Sequence, residues 1–432
     1  MEQEERVVLV GLDTGEDEEF DRSMEELREL ARACHMQTVG MITQKAAAVH
    51  KAHYVGAGKV EEIRDCVRAL GADLVIFNDS LTPSQLRNLQ KETECPVMDR
   101  TTLILDIFSR RAQTREARLQ VETARLQYLM SRLVGMHDAL TRQGGTSGSM
   151  SSRGAGEKKL ELDRRKIEKR LAEMRRELEE VSLERATQSK KRLASRIPRV
   201  ALVGYTNAGK STLMNALLDR WGREEEKGVL AQDMLFATLD TTVRYLDFGK
   251  NRELLLSDTV GFIHKLPHGL VKAFRSTLEE VKQADLLLCV VDCSDEAHRR
   301  QIEVTKETLR EIEAAHIPKI YVFNKADLCG MGELPRCVGD HRIYLSAREG
   351  IGLEELGEMI LEKVYAGDVE KELLFPYDKG GVVSYFMEHA RVLSQEYLPE
   401  GIRMRVRCHP ADAAKYAAYE VTDPGQAENA GS

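Results

Sequence analysis

The sequence lacks the patterns that mark several classes of protein. None of its eight cysteines forms a C-x-x-C pair and no histidine lies at zinc-finger spacing, so no zinc site is expected. Cys289 and Cys293 flank an apolar run, which predicts buried thiols. The acidic start, MEQEERVVLV, has no signal-peptide core, and no apolar run approaches the roughly 20 residues of a membrane span. We therefore predict a reducing, cytoplasmic protein, with partial membrane association left open.

The chain is acidic overall, but a net positive charge is concentrated in its middle. The formal net charge at pH 7 is −8, yet residues 109–200 contain 23 Lys and Arg against 12 Asp and Glu, a local net charge of +11. A basic middle in an acidic chain indicates a localised anionic partner. A solvated, salt-bridged helical hairpin is the alternative that this composition leaves open.

Hydrophobic periodicity divides the 432 residues into several units. Short apolar runs such as VVLVGL and DLVIFN alternate with helical patterns over residues 1–108, which predicts a small α/β domain with a parallel sheet. The same alternation predicts a second α/β domain over 198–366, with a mixed but mostly parallel sheet. A small α+β unit is predicted over 367–421 and a disordered tail over 422–432. We expect a monomer.

The small carboxy-terminal unit contains one strongly alternating segment. Apolar residues at 402, 404, 406 and 408 alternate with Arg403, Arg405 and Arg407. This period of two predicts a half-buried strand with a basic outer face.

The basic middle, residues 109–197, has the pattern of two long helices. Four leucines from Leu119 to Leu133 share one face of the first, and apolar residues recur at heptad spacing from Leu160 to Val181 in the second. An antiparallel helical hairpin is predicted, whose apolar seam packs the two helices together. Its glycine- and serine-rich loop, 144–159, is longer than the roughly two to eight residues of ordinary helix connections.

A phosphate-binding sequence follows a predicted strand. GYTNAGKS matches G-x-x-x-x-G-K-S between the apolar run RVALV and a helical pattern. Such glycines let backbone N–H groups face a phosphate, and the helix N-terminus adds positive potential. Lys210 is expected to reach the β- and γ-phosphates, and the Ser211 hydroxyl to bind Mg²⁺. The predicted nucleotide loop consists of Gly204, Tyr205, Thr206, Asn207, Ala208, Gly209, Lys210, Ser211 and Thr212.

A second element, Asp258-Thr259-Val260-Gly261, follows another apolar run. A carboxylate at this strand end can hold Mg²⁺ through a water molecule. The Gly261 N–H can contact the γ-phosphate and so detect its hydrolysis.

A third element predicts which base is bound. Asn324 and Lys325 precede Asp327, whose carboxylate can accept two hydrogen bonds from guanine, at N1–H and the 2-amino group. Adenine offers neither donor and would leave the carboxylate unpaired. Ser346 and Ala347 follow, where a backbone N–H can meet the guanine O6. The predicted ligands are therefore GTP and GDP.

Two weaker candidates accompany these elements. Gly56 to Lys59 resembles a second phosphate loop but has no Ser or Thr after the lysine, so a helix start is favoured. His264, His268 and His298 are scattered and are predicted to be surface or satisfied core residues.

The ordered set GYTNAGKST, FATLD, DTVGFI, NKAD and SA resembles the translation-factor-related GTPases. FATLD followed by DTVGFIHKLP resembles the HflX family in particular. The resemblance covers nearly the whole chain, including RLQVETARLQYLMSRLVG and RGAGEKKLELDRRKI, although Ala155 and the Lys158-Lys159 pair depart from the family's usual loop. It implies a GTPase that binds the large ribosomal subunit and splits or rescues ribosomes under stress.

The resemblance also implies roles for individual residues. Thr238 corresponds to the switch threonine on Mg²⁺, although without the family it would be taken for a strand-edge threonine. Lys210, Thr238 and Gly261 are the expected catalytic residues. The implied nucleotide site adds Phe236, Ala237, Thr238, Leu239 and Asp240. The expected RNA contacts are Arg153, Lys158, Lys159, Arg164 and Arg165.

Two positions bear on how hydrolysis is driven. Many nucleotide switches have a water-orienting glutamine where Phe262 stands, and a phenyl ring cannot hydrogen-bond a water. We expect the ring not to be a mere core residue, with a polar group from elsewhere completing the site and a low rate for the isolated protein. Asn207 lies where potassium-activated GTPases carry an asparagine, so K⁺ is a candidate cofactor; a loop-shaping role is the alternative.

Other functions remain open from the sequence. A GTP-dependent adaptor could act on a protein partner without touching RNA. ATP-driven RNA remodelling by the N-terminal unit is a third possibility with little sequence support.

Overall fold

Three β-sheets and the helices that cover them make up the described part of the chain. The computed structural model describes residues 4–15, 19–143, 161–162, 164–181, 183, 197–223, 242–263 and 279–421; of residues 133–143 only the helical path is described. The helices are α1 (Phe20–Ala33), α2 (Ala57–Leu70), α3 (Pro83–Thr93), α4 (Arg100–Arg111), α5 (Arg115–Gln143), α6 (164–181), α7 (Lys210–Trp221), α8 (Glu279–Lys282), α9 (His298–Glu311), α10 (Leu353–Val364), α11 (Gly380–His389) and α12 (Pro410–Lys415). The strands are β1 (Glu5–Asp13), β2 (Met36–Lys45), β3 (Leu74–Phe77), β4 (Val97–Asp99), β5 (Arg199–Gly204), β6 (Thr242–Asp247), β7 (Glu253–Asp258), β8 (Leu286–Asp292), β9 (Lys319–Asn324), β10 (Arg336–Cys337), β11 (Arg342–Tyr344), β12 (Val369–Phe375), β13 (Arg391–Leu398) and β14 (Gly401–Cys408).

The N-terminal sheet is parallel throughout, in the order β2-β1-β3-β4. Alternate residues of β1 pack into two different clusters, Val7 with α1 and α4 on one face and Val8 with α2 and α3 on the other. Burial of both faces explains the continuous apolar run of β1. The predicted parallel α/β architecture is confirmed. The predicted limit at residue 108 falls inside α4, and α5 adds Val121 and Ala124 to the same core.

Two helices of the N-terminal domain begin at identifiable caps. Thr82 accepts a hydrogen bond from the Gln85 N–H and forms a capping box with it, while Pro83 occupies the first helical position of α3. Gly56 is the N-cap of α2, and Lys59 Nζ lies 2.6 Å from the Glu62 carboxylate. The helix-start interpretation of the Gly56 element is therefore confirmed.

The helical middle pairs α5 with α6. Arg115 at the start of α5 lies 3.3 Å from Glu177 near the end of α6, a contact expected of two antiparallel helices. Leu171 and Met174 of the predicted seam are buried. The loop 144–159 lies outside the described residues, as do Arg153, Lys158 and Lys159 with it.

The central sheet has seven strands in the order β10-β11-β9-β8-β5-β7-β6. Only its two outer pairings, β10 with β11 and β6 with β7, are antiparallel. This agrees with the predicted mixed, mostly parallel sheet. Cys289 within β8 is buried as predicted, whereas the same prediction is wrong for Cys293, because that residue follows the strand and is only half-buried.

The carboxy-terminal unit is an antiparallel sheet, β12-β14-β13, covered by α11. Met404 and Val406 of β14 are fully buried, as the alternation predicts. The outer face is not simply basic, because β12 places carboxylates opposite the arginines: Arg403 lies 3.0 Å from Glu372, and Arg405 pairs with Glu370. The predicted disordered tail, 422–432, lies outside the described residues. Within the described ranges, no helix is both long enough and apolar enough to cross a bilayer.

Candidate functional site

The loop between β5 and α7 wraps back over the start of α7. Gly209 has a φ of +88°, and a Cβ atom there would lie 2.2 Å from Asn324 Nδ2. Glycine is therefore required on both conformational and steric grounds. Lys210 is buried, and its Nζ donates to the carbonyl oxygens of Gly204 at 3.2 Å and Tyr205 at 2.8 Å.

The environment of Lys210 makes its ammonium group sensitive to nearby negative charge. Burial lowers the pKa of Lys210 to about 8, and the Asp258 carboxylate acts in the opposite direction. A polyphosphate beside the loop would favour the charged form further, because an anion next to a buried ammonium group compensates its desolvation.

The end of β7 brings Asp258 to the first turn of α7. Ser211 Oγ donates to Asp258 Oδ2 at 2.8 Å, and Thr259 Oγ1 donates to the Leu202 carbonyl at 2.6 Å, which fixes the chain just after the carboxylate. A hydroxyl and a carboxylate side by side are the hard oxygen donors that Mg²⁺ prefers, so these residues fit a magnesium site. Among the described residues no group of three or more His, Cys, Asp or Glu could hold a metal. The remaining predicted ligand, Thr238, lies outside the described residues together with Phe236, Ala237, Leu239 and Asp240.

Gly261 packs directly against the phosphate loop. A Cβ atom at this position would lie 2.8 Å from Thr206 Cγ2 and 3.0 Å from Lys210 Nζ. The next residue hydrogen-bonds to the same loop, since the Phe262 N–H donates to the Gly204 carbonyl at 3.1 Å and the Thr206 N–H donates to the Phe262 carbonyl at 2.8 Å.

The expectation that the Phe262 ring is not a core residue is wrong. The residue is 3% exposed and belongs to a hydrophobic cluster with Val203, Val281 and Leu287. Its backbone runs beside the phosphate loop, but the ring itself is buried in the core of the central domain.

The guanine-specific elements form a network around Asn324. Its Nδ2 donates to the Ala208 carbonyl at 3.1 Å, and its Oδ1 accepts from the Ala347 N–H at 3.0 Å. Lys325 Nζ lies 2.6 Å from Asp292 Oδ2. Asp327 is exposed in the short 3₁₀ turn that follows. Asn324 thus ties the phosphate loop to the segment that carries Ala347 and buried Ser346.

The chain is similar to known protein families and to individual proteins along most of its length. Residues 21–109 match the family described as GTP-binding GTPase N-terminal, residues 111–192 the GTP-binding GTPase Middle Region, and residues 199–325 the 50S ribosome-binding GTPase. The GTPase HflX of Lacrimispora saccharolytica is 44% identical over 92% of this chain and 92% of its own. The chain belongs to the GTPase HflX family. The GTPase HflX of Escherichia coli K12 is 40% identical, with 96% of both chains covered.

A solved structure is similar at lower identity. It is that of a GTP-binding protein from the hyperthermophilic archaeon Sulfolobus solfataricus in complex with GDP, 22% identical with a TM-score of 0.44, covering 84% of this chain and 99% of that one. As a member of the HflX family, the protein is a GTP-hydrolysing enzyme.

In this HflX-family chain the phosphate loop also contacts the N-terminal domain. The Tyr205 hydroxyl donates to the Glu26 carboxylate of α1, which also pairs with Arg100. Arg100 is 2% exposed and donates from Nη1 to Asn78 Oδ1 at 2.9 Å. A chain of polar contacts therefore leads from the phosphate loop into the N-terminal core.

The segment after Asp258 is held by the same domain. Val260 and Ile263 are buried in the N-terminal hydrophobic cluster, beside residues of α1, α4 and α5. Sequence patterns gave no indication of this interface, because its partners are far apart in the chain: Tyr205 and Glu26 are separated by 179 positions.

A cleft of about 260 Å³ lies at this interface, between α1, α9 and the phosphate loop, with Thr206 and Asn207 in its wall. Two ion pairs cross it, Arg22 with Asp295 and Arg300 with Glu19, the latter at 3.5 Å.

His298, which lies near this interface, has a hydrogen-bond partner for its ring, as predicted. His298 Nδ1 lies 2.8 Å from the Asp295 carbonyl, and its ring meets Phe323 edge-on. His264 and His268 lie outside the described residues.

Proposed function

We propose that this HflX-family protein is a GTP-driven switch that associates with the large ribosomal subunit and splits or rescues ribosomes under stress. The observation that carries the proposal is the match of residues 199–325 to the 50S ribosome-binding GTPase family. The network that joins Asn324 to the phosphate loop supports it. In this proposal GTP orders Thr238 and Gly261, which favours ribosome binding, and hydrolysis releases the protein.

The proposed roles follow from the positions of the described side chains and, for Thr238, from the family resemblance. Lys210 and the Gly261 N–H contact the γ-phosphate. Ser211 and Thr238 bind Mg²⁺ directly, and Asp258 binds it through water. When bound, Mg²⁺ neutralises charge on the β- and γ-phosphates. The nucleotide is expected to contact the remaining predicted residues of the phosphate loop, the segment 236–240, the segment 258–261, and Asn324, Lys325, Asp327, Ser346 and Ala347.

The guanine assignment predicts a change of base preference. Asp327→Asn should weaken GDP binding roughly 10- to 150-fold, because a charge-assisted pair of hydrogen bonds is lost. Xanthine nucleotides should bind relatively better, since the amide offers one acceptor and one donor. Titration with fluorescent GDP and with fluorescent xanthosine diphosphate measures both effects.

Asp378→Asn is a suitable control for this experiment. Asp378 is exposed in the carboxy-terminal unit and lies 3.7 Å from Lys379, so the substitution removes one surface carboxylate without touching the nucleotide site. Wild-type affinity for GDP in the Asp327 variant would refute the guanine role.

The hairpin loop is proposed to enter an RNA-lined site. Arg164 pairs with Glu168 at 2.9 Å and Arg165 with Glu161 at 3.0 Å, so part of their charge is already compensated. The uncompensated excess is then expected in the loop, at Arg153, Lys158 and Lys159. The ion pairs of Arg403 and Arg405 make the carboxy-terminal sheet a weaker candidate for RNA binding.

Charge reversal in the loop tests this proposal. Changing Arg153, Lys158 and Lys159 to glutamate should weaken co-sedimentation with large subunits in the presence of a non-hydrolysable GTP analogue. It should also lower the slope of log affinity against log salt by about two, because each phosphate contact contributes about 0.7. Affinity for GTP should not change.

Arg170, Arg175 and Arg176, exposed on α6, provide a control with the same charge change. Reversal of these three should alter the salt slope less. An unchanged slope in the loop variant would favour the solvated hairpin. Capture of a protein partner that survives ribonuclease would favour the adaptor.

Potassium dependence is a separate proposal. Asn207 is exposed in the wall of the cleft, with a φ of +60°. Its amide oxygen could bind K⁺ beside the phosphates, while the left-handed backbone, which asparagine tolerates, supports the loop-shaping alternative. If K⁺ is bound, GTP turnover should be faster in KCl than in NaCl of the same ionic strength. Equal turnover in the two salts would eliminate the ion.

A further inference from the structure

Two cysteine side chains face each other next to the guanine-specific segment. Cys293 Sγ and Cys329 Sγ lie 3.0 Å apart, and both residues are half-buried. Cys293 follows the last residue of β8, and Cys329 ends the 3₁₀ turn Ala326–Cys329. The two thiols are 36 positions apart in the chain, so neither forms a motif by itself.

Both cysteines contact the segment that carries the guanine-specific residues. The Cys293 N–H donates to the Asn324 carbonyl at 3.0 Å, and Cys329 Sγ donates to the Lys325 carbonyl at 3.7 Å. Asp292, immediately before Cys293, pairs with Lys325. Asp327 lies two residues before Cys329 in the same turn. Any change in the distance between the sulfurs therefore acts on this turn.

We propose that Cys293 and Cys329 form an intramolecular disulfide when the protein meets a peroxide, and that this bond weakens guanine nucleotide binding. The second half of the proposal rests on the proposed guanine role of Asp327. Disulfides in reducing compartments are usually transient and redox-sensing, which suits a pair of partly exposed thiols beside the guanine-specific segment.

The chemistry needs hydrogen peroxide as the only co-reactant. The Cys329 thiolate attacks one peroxide oxygen, which yields a sulfenic acid and releases hydroxide. The Cys293 sulfur then attacks the sulfenic sulfur, so the S–S bond forms and the oxygen leaves as water. The proton of the Cys293 thiol leaves with the sulfenic oxygen in that water, and the proton that the Cys329 thiol lost on becoming a thiolate neutralises the hydroxide. In total the two thiols lose two electrons, and one hydrogen peroxide gains them and becomes two waters.

The order of the two steps follows from the surroundings of each sulfur. The residue before Cys329 is Leu328, which is 67% exposed, so a small oxidant can reach this turn. Burial raises the pKa of the Cys293 thiol, and its hydrogen bond with Cys329 adds to this, so Cys293 keeps its proton and acts second.

The bond should shift the turn that carries Asp327. A disulfide has an S–S distance of about 2.05 Å, so the two sulfurs must approach by roughly 1 Å. A displacement of this size disturbs the distance and angle of the hydrogen bonds that Asp327 is proposed to accept. GDP affinity should fall roughly tenfold.

The test compares full-length protein before and after hydrogen peroxide treatment. Oxidised wild type should lose two hydrogens in mass and yield a cross-linked peptide that contains Cys293 and Cys329. Its affinity for fluorescent GDP should fall about tenfold, and dithiothreitol should restore it. The Cys293→Ser and Cys329→Ser variants should bind GDP as tightly after peroxide treatment as before it. Cys337→Ser, which removes an exposed thiol elsewhere, should respond like wild type.

Either of two results would overturn the proposal: no link between Cys293 and Cys329, or a link with unchanged affinity for GDP. Failure of the guanine role would be visible separately. It would appear as equal binding of guanine and adenine nucleotides by reduced protein, whereas the cross-link is detected by mass alone.

Discussion

Purified large ribosomal subunits should raise the rate of GTP hydrolysis by this protein roughly 10³- to 10⁵-fold, the range seen when a group supplied in trans completes a nucleotide site. Phe262 occupies the position after Gly261, but its ring is buried in the core and its backbone N–H and carbonyl are both bonded to the phosphate loop. Its side chain therefore cannot orient the attacking water. Steady-state hydrolysis with and without subunits measures the stimulation.

Phe262→Gln tests whether position 262 has only a core role or whether a glutamine amide there would speed hydrolysis. Because the side chain points into the core, the substitution should not accelerate the free protein. It should lower the free energy of unfolding by roughly 3 kcal/mol, since it leaves a cavity and buries an amide. Phe262→Leu, the control, should cost about 1 kcal/mol. Fast turnover of free wild type that subunits do not change would mean that the water is positioned internally.

Gly261→Ala should reduce the rate of GTP hydrolysis roughly 10²-fold. The substitution displaces groups around the γ-phosphate, and catalysis requires such groups to be placed to within about 1 Å. The added methyl group would lie 2.8 Å from Thr206 Cγ2 and 2.9 Å from Thr206 Cα, so the segment after Asp258 or the phosphate loop must move. Single-turnover hydrolysis measures the rate, and GDP binding is measured alongside it. GDP affinity should change less than the rate, because the Gly261 N–H is proposed to contact the γ-phosphate.

Gly58→Ala is the matched control. Gly58 lies in α2, and a Cβ atom there meets nothing within 4 Å, so this variant should hydrolyse GTP at the wild-type rate and be slightly more stable. A Gly261→Ala variant that hydrolyses GTP as fast as the Gly58→Ala variant would contradict the assigned role.

Much of the nucleotide site could be predicted from short stretches of sequence. Ser211, Asp258 and Asn324 belong to elements in which a strand end, a turn and a chemical group are contiguous in the chain, and the structure brings all three together. Parallel strands end at the same edge of a sheet, so recognising the strands was enough to place their following residues near each other.

The parts that could not be predicted depend on pairings distant in the chain. The direction of the Phe262 ring depends on how the segment after Asp258 pairs with the phosphate loop, where Phe262 lies parallel to Tyr205. The charge on the face of β14 depends on the register that sets Glu370 and Glu372 of β12 opposite its arginines. Neither of these pairings leaves a local pattern in the sequence.

The burial of Val260 and Ile263 in the N-terminal core has a thermodynamic consequence. Any nucleotide-dependent movement of these residues must also change the free energy of docking between the two domains. Linkage is reciprocal, so a ligand that pulls the N-terminal domain away alters nucleotide affinity by the same factor by which nucleotide alters the affinity for that ligand. The Tyr205–Glu26 contact extends this coupling to the phosphate loop itself. Measuring either affinity with and without the second ligand therefore determines the factor by which the second ligand's affinity changes.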